Sequence, residues 1–146
     1  MANPIIKQNK NRLKLTLRRK SQQPTTEEIE IVEALLKHEF PQDYKDFITM
    51  YKDGIHNKKI VKLGKEYEIS SFISLENLIK VNINAIDEWG YPRIGTMICN
   101  CPSAGHDAIF LNYNNQVVHI DQESNYKITK LANSFSEFVH NLRSDV

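Results

Sequence analysis

A chain of 146 residues with 40% hydrophobic and 25% charged side chains has the size and composition of one globular domain, and no stretch approaches the roughly 20 apolar residues that cross a membrane. The N-terminus lacks the apolar segment and small-residue cleavage site of a secretory signal, so the protein is expected in the cytoplasm. The formal charge of +1 hides an asymmetry: residues 1–26 hold seven bases and no acid, which leaves 12 of the 19 bases against all 18 acids, or −6, on residues 27–146.

Residues 1–24 are polar and basic, with Leu13, Leu15 and Leu17 alternating at strand period, and are expected to form a tail or an edge strand. After Pro24, Thr25 and Glu28 have the spacing of a capping box, and Ile29, Val32, Leu35 and Leu36 give a helix its apolar stripe. Phe40-Pro41 restarts the chain, and Tyr44, Phe47, Ile48 and Tyr51 predict a second helix stopped at Gly54. Residues 59–63 and 67–73 read as a hairpin around Gly64-Lys65-Glu66. Ser74 is placed to cap a third helix through Leu75, Leu78, Ile79 and Ile86, ended by Gly90-Tyr91-Pro92. Strands are predicted at 93–99, 107–113, 116–121 and 126–131, with a turn at Asn114-Asn115. Ser134 and Glu137 make a second capping box for a closing helix carrying Phe135, Phe138, Val139 and Leu142. The links are too short for parallel crossovers, so the strands must pair antiparallel and the class is α+β, a single domain over residues 25–146.

The segment DEWGYPRIGTMICNCPSAGHD at 87–107 with its continuation through Leu142, and FPQDYKDFITMYKDG at 40–54, together resemble the SUKH superfamily, which includes the yeast cell-wall-synthesis regulators. The resemblance covers roughly residues 26–143 and implies a curved antiparallel sheet flanked by helices. It also implies a function, because bacterial members are similar to immunity proteins that bind and block a cognate toxin, and eukaryotic members look like scaffolding or regulatory modules. No catalytic residues come with it. Asn112 stands where the family pattern leads one to expect an aspartate, and the basic segment before Thr25 matches no family pattern.

The polar set Cys99, Cys101, His106, Asp107, His119 and Asp121 invites comparison with a zinc or transition-metal site, but C-x-C and H-x-D lack the paired short-spaced ligands of structural zinc. Cys99 and Cys101 are expected to be reduced thiols, Asp107 a turn carboxylate beside Ser103 and Gly105, and His119 an ordinary strand histidine. Ser103 or Cys101 with His106 and Asp107 has no orienting signature for a hydrolytic nucleophile, and no glycine-rich loop cradles a phosphate. The seven N-terminal bases could meet phosphates, but no aromatic platform is interleaved with them, so direct nucleic-acid binding is not expected.

The sequence therefore leads to a domain without catalytic residues, metal, cofactor or small-molecule substrate. Its acidic body is expected to dock on a cognate toxin protein of basic surface. Acids and aromatics bordering the predicted turns, Asp87, Glu88, Trp89, Tyr91, Asp121 and Glu123, are the candidate partner contacts. For Trp89 and Tyr91 two roles stand side by side: an exposed anchor, or a plug that braces the turn. The rival expectation is an intracellular scaffold or regulatory module of the cell-wall-regulator type, and a metal-dependent hydrolase ranks behind both.

Overall fold

The computed structural model describes residues 23–50 and 55–144; the basic segment with Leu13, Leu15 and Leu17, and the helix end at Tyr51 and Gly54, lie outside the described residues. In chain order the elements are α1 Thr26–Leu36, α2 Gln42–Met50, β1 His56–Lys62, β2 Lys65–Phe72, α3 Leu75–Asp87, β3 Gly95–Asn100, β4 Asp107–Asn112, β5 Val117–Asp121, a 3-10 turn Gln122–Ser124, β6 Lys127–Ala132, α4 Phe135–His140 and β7 Arg143–Ser144.

Among the described residues seven strands form one curled antiparallel sheet in the order β6-β5-β4-β3-β2-β1-β7, so the four-stranded meander β3 to β6 continues into the β1–β2 hairpin. Register shifts between Met97 and Cys99 in β3 and between Val117 and Val118 in β5 sharpen the local twist, which helps the sheet wrap on itself. The middle strands are consequently buried along successive residues: Thr96 to Cys99, Ala108 to Leu111 and Val117 to Ile120 are all buried.

Local chemistry explains most boundaries. The Thr25 hydroxyl accepts from the Glu28 amide at 3.1 Å, and the Glu28 carboxylate accepts from the Thr25 amide at 3.2 Å, completing both halves of the box at α1. At α4 only half of the box closes: Ser134 Oγ accepts from the Glu137 amide, while the Glu137 carboxylate reaches the Asn133 amide instead. Ser74 caps α3 by its extended backbone alone; its hydroxyl makes no cap bond and instead accepts from Asn77 Nδ2. The β1–β2 reversal is tighter than the sequence suggested. Lys62 pairs directly with Lys65, and Leu63 and Gly64 both take positive φ, 51° and 79°, as a right-twisted two-residue hairpin requires.

An edge-to-face aromatic cluster ties the helices to the sheet: Tyr44 meets Phe40 and Phe135, and Phe135 also meets Phe47 and Phe72. Asn82 of α3 does the work of a missing strand. Regular β2–β3 pairing stops at Phe72 and Cys99, and Asn82 accepts from the Met97 amide at 2.6 Å while donating to the Met97 carbonyl at 3.1 Å.

Candidate functional site

At the end of the sheet where β4 begins and β5 ends, a cleft of about 430 Å³ opens between β2, the 102–106 loop and the 3-10 turn. Its position follows from the ladder. Asp107 lies directly opposite Asp121, and Ile109 opposite His119, so His119 is the diagonal neighbour of Asp107 on the same face. His119 Nε2 donates to Asp107 Oδ2 at 2.6 Å, and Ser103 Oγ donates to Asp107 Oδ1 while accepting from the Asp107 amide at 3.0 Å. The Cys101 thiol lies near enough to add a small further stabilisation of this carboxylate. Burial alone would raise the Asp107 pKa, but the hydrogen bonds from His119 and Ser103 outweigh it and hold the carboxyl below its ordinary value.

This organisation differs from the turn carboxylate expected at Asp107. The carboxylate gathers side-chain donors from β5 and from its own loop, and is the hub of the cleft. The chain order of the bonds is serine to aspartate to histidine. The acceptor on the Ser103 hydroxyl is the Asp107 carboxylate, a base weakened by its lowered pKa, with no imidazole on the hydroxyl. Burial, reinforced for Cys101 by the neighbouring Asp107, pushes both Cys99 and Cys101 far up as thiols, and both are free and buried. Among the described residues no three His, Cys, Asp or Glu side chains are grouped to hold a metal ion.

The rim is acidic. Glu66, Glu68, Asp121 and Glu123 line the cleft with Asp107, against Lys65 and the two histidines. Glu123 pairs with His106 at 3.0 Å, and Asp121 caps the 3-10 turn by accepting from the Glu123 amide. Tyr67 packs its ring on His119 with centroids 4.6 Å apart, and Lys65 Nζ stands 5.2 Å from the Tyr67 centroid.

The candidate contacts read from the sequence divide into two neighbouring groups and one buried residue. Asp121 and Glu123 border the cleft. Asp87, Glu88 and Trp89 form the exposed end of α3, tied to the same region because the Trp89 carbonyl accepts from Tyr126 Oη at 2.7 Å and from Gln122 Nε2 at 3.1 Å. Tyr91 takes the bracing role: it is 2% exposed, and its hydroxyl donates to the Gly105 carbonyl at 2.9 Å, holding the 102–106 loop in place. As a surface anchor it is therefore unavailable. Glu66, Glu68 and Tyr67 were not singled out from sequence, because their meeting with β5 depends on how the sheet curls.

A family model described as SMI1-KNR4 cell-wall, of the SUKH group, matches residues 26–139. The match spans well over half of the chain, and the chain belongs to this family. No curated protein matches it. Family membership supports a protein-binding domain of this type, and the α+β fold with its curled antiparallel sheet agrees with it. Among the described residues no helix is long and apolar enough to cross a membrane.

Proposed function

We propose that this chain is an immunity-type member of the family: a non-catalytic cytoplasmic domain that binds a cognate toxin of basic surface, for instance a nuclease, and covers its active site or substrate groove. The observation that carries this reading is the acid-rimmed cleft on a body of net charge −6 over residues 27–146. A negative, preformed surface speeds encounter with a basic partner and supplies acceptors for its lysines and arginines. The bonding around Ser103 and Asp107 supports a non-catalytic role, since the hydroxyl faces only a weakly basic carboxylate and burial keeps the thiols protonated.

The test is co-expression with the toxin domain encoded beside this chain's gene. Cells carrying the toxin should survive only when this chain is present, and the two proteins should co-purify. Death of the cells despite full expression of the chain contradicts the reading. A cell-wall regulatory scaffold is the second reading, favoured by the description of the matching family model. It predicts no rescue from any neighbouring toxin, and altered wall assembly when the gene is deleted.

A further inference from the structure

We propose that the cleft is the seat of one arginine side chain from the partner, its guanidinium entering between Tyr67, His119, Asp107 and Asp121, with Glu68 and Glu123 at the rim. This rests on the protein-binding reading above and names the chemistry at its centre.

The cleft offers hydrogen-bond acceptors where a partner would enter. Asp107 and Asp121 stand opposite each other in the β4–β5 ladder, so two carboxylates share one face, with Lys127 of β6 the cross-strand neighbour of Asp121 on its other side. His119 is 5% exposed, and its Nε2 is committed to Asp107. Its second nitrogen, Nδ1, bonds to no described residue, although the ring lines the cleft. In the tautomer that keeps its proton on Nε2 for Asp107, Nδ1 carries a lone pair and is one more acceptor facing the cleft. Glu68 makes no ion pair with a described residue. Tyr67 is 7% exposed and carries Lys65 Nζ over its ring at 5.2 Å, so this wall accepts a cation, and an entering guanidinium would take the place of that ammonium.

A complement to these groups is a donor-only cation with a flat face. Arginine has five donors, no acceptor and a plane that stacks on aromatic rings, whereas lysine brings a compact charge without the plane. The cleft volume of about 430 Å³ is ample for a side chain and its last shell of water.

The test needs no toxin. The isotope-labelled full chain is titrated by NMR with an acetylated, amidated Gly-Arg-Gly peptide, and separately with its lysine and citrulline counterparts. The arginine peptide should shift the resonances of residues 103–107 and 119–121, lysine should bind more weakly, and citrulline, equal in shape without the charge, should leave them unmoved. Glu68→Gln and Glu123→Gln keep the buried Asp107 network intact, and each should weaken the arginine peptide by up to about fivefold, the range of an exposed ion pair. Equal shifts from citrulline, stronger binding of lysine, shifts elsewhere only, or variants that bind like the native chain would each overturn the proposal. If the peptide binds as expected but the neighbouring toxin is not neutralised, the immunity reading falls and the arginine seat stands; the converse pair of results removes the seat alone.

Discussion

Asn82 shows how much one buried side chain can carry. It is 4% exposed and closes three hydrogen bonds, to the Met97 amide, the Met97 carbonyl and the Leu78 carbonyl. Asn82→Ala would leave two Met97 backbone groups without partners in the core, and urea unfolding should show a loss of about 2–4 kcal/mol. Asn82→Asp should also destabilise, because a carboxylate can accept from the amide but cannot donate to the carbonyl. Tyr44 is the opposite case. Its ring is 1% exposed, and among the described residues its hydroxyl has no partner. Tyr44→Phe should therefore be neutral or raise stability by about 1 kcal/mol, while Tyr44→Leu, which loses the edge-to-face contacts, should lower it. Neither role is legible in sequence: an asparagine inside a helix reads as a solvated residue, and Tyr44 reads correctly as core without any hint that its hydroxyl is stranded.

His38 supplies a pH dependence. It is buried between Thr96 and Asn115, with Nδ1 2.8 Å from Thr96 Oγ1, and burial lowers its pKa below the ordinary value of 6.5 despite opposing contributions from Asn115 and Glu33. The folded state thus favours the neutral ring, and the unfolded chain takes up the proton first. This stability is fully present above pH 6.5 and is lost as pH falls through the lower folded value. The urea midpoint of the native chain should drop more steeply between about pH 7 and pH 5 than that of His38→Gln. Parallel curves would mean that some other group governs the slope.

Elements were the most legible level, because hydrophobic period and caps act locally. The Thr25–Glu28 box marks the start of α1, and the apolar runs within 107–113 and 116–121 give β4 and β5 to within a residue. What escaped is what needs long-range partners. The strand β7 is two residues held by Lys58 and Lys59 of β1, and the 3-10 turn depends on the Asp121 cap and on Asn125 in the left-handed region. The turn at Asn112 also explains the departure noted there: its amide oxygen accepts from the Asn114 and Gln116 amides, a role an aspartate would fill equally. Thr25→Ala should cost about 1 kcal/mol through loss of the α1 cap. Leu63→Asn should raise the melting temperature, since Leu63 is 96% exposed and pays for a left-handed φ that asparagine adopts more readily. Unchanged melting would place the strain of that hairpin elsewhere.

At the scale of the whole molecule, the acidity of the body was legible and the cleft was not. Counting charges reveals the −6 over residues 27–146, but only the curl of the sheet brings Glu66 and Glu68 of β2 toward Asp121 and Glu123. The candidate contacts on α3 belong to the adjoining surface, where Trp89 is 36% exposed and is the chain's single tryptophan. Its fluorescence should shift to the blue when a partner covers this end of α3, and an unshifted spectrum in the complex would confine the contact to the cleft. Charge reversal at Glu88 or Glu123 should slow association most at low salt, because steering between unlike charges is screened as salt rises. The most direct measurement is titration of the neighbouring toxin's activity with the purified chain. Inhibition should be complete at equimolar ratio for the native protein and require excess for Glu68→Lys combined with Glu123→Lys. Full toxin activity at every ratio of native chain would contradict the account.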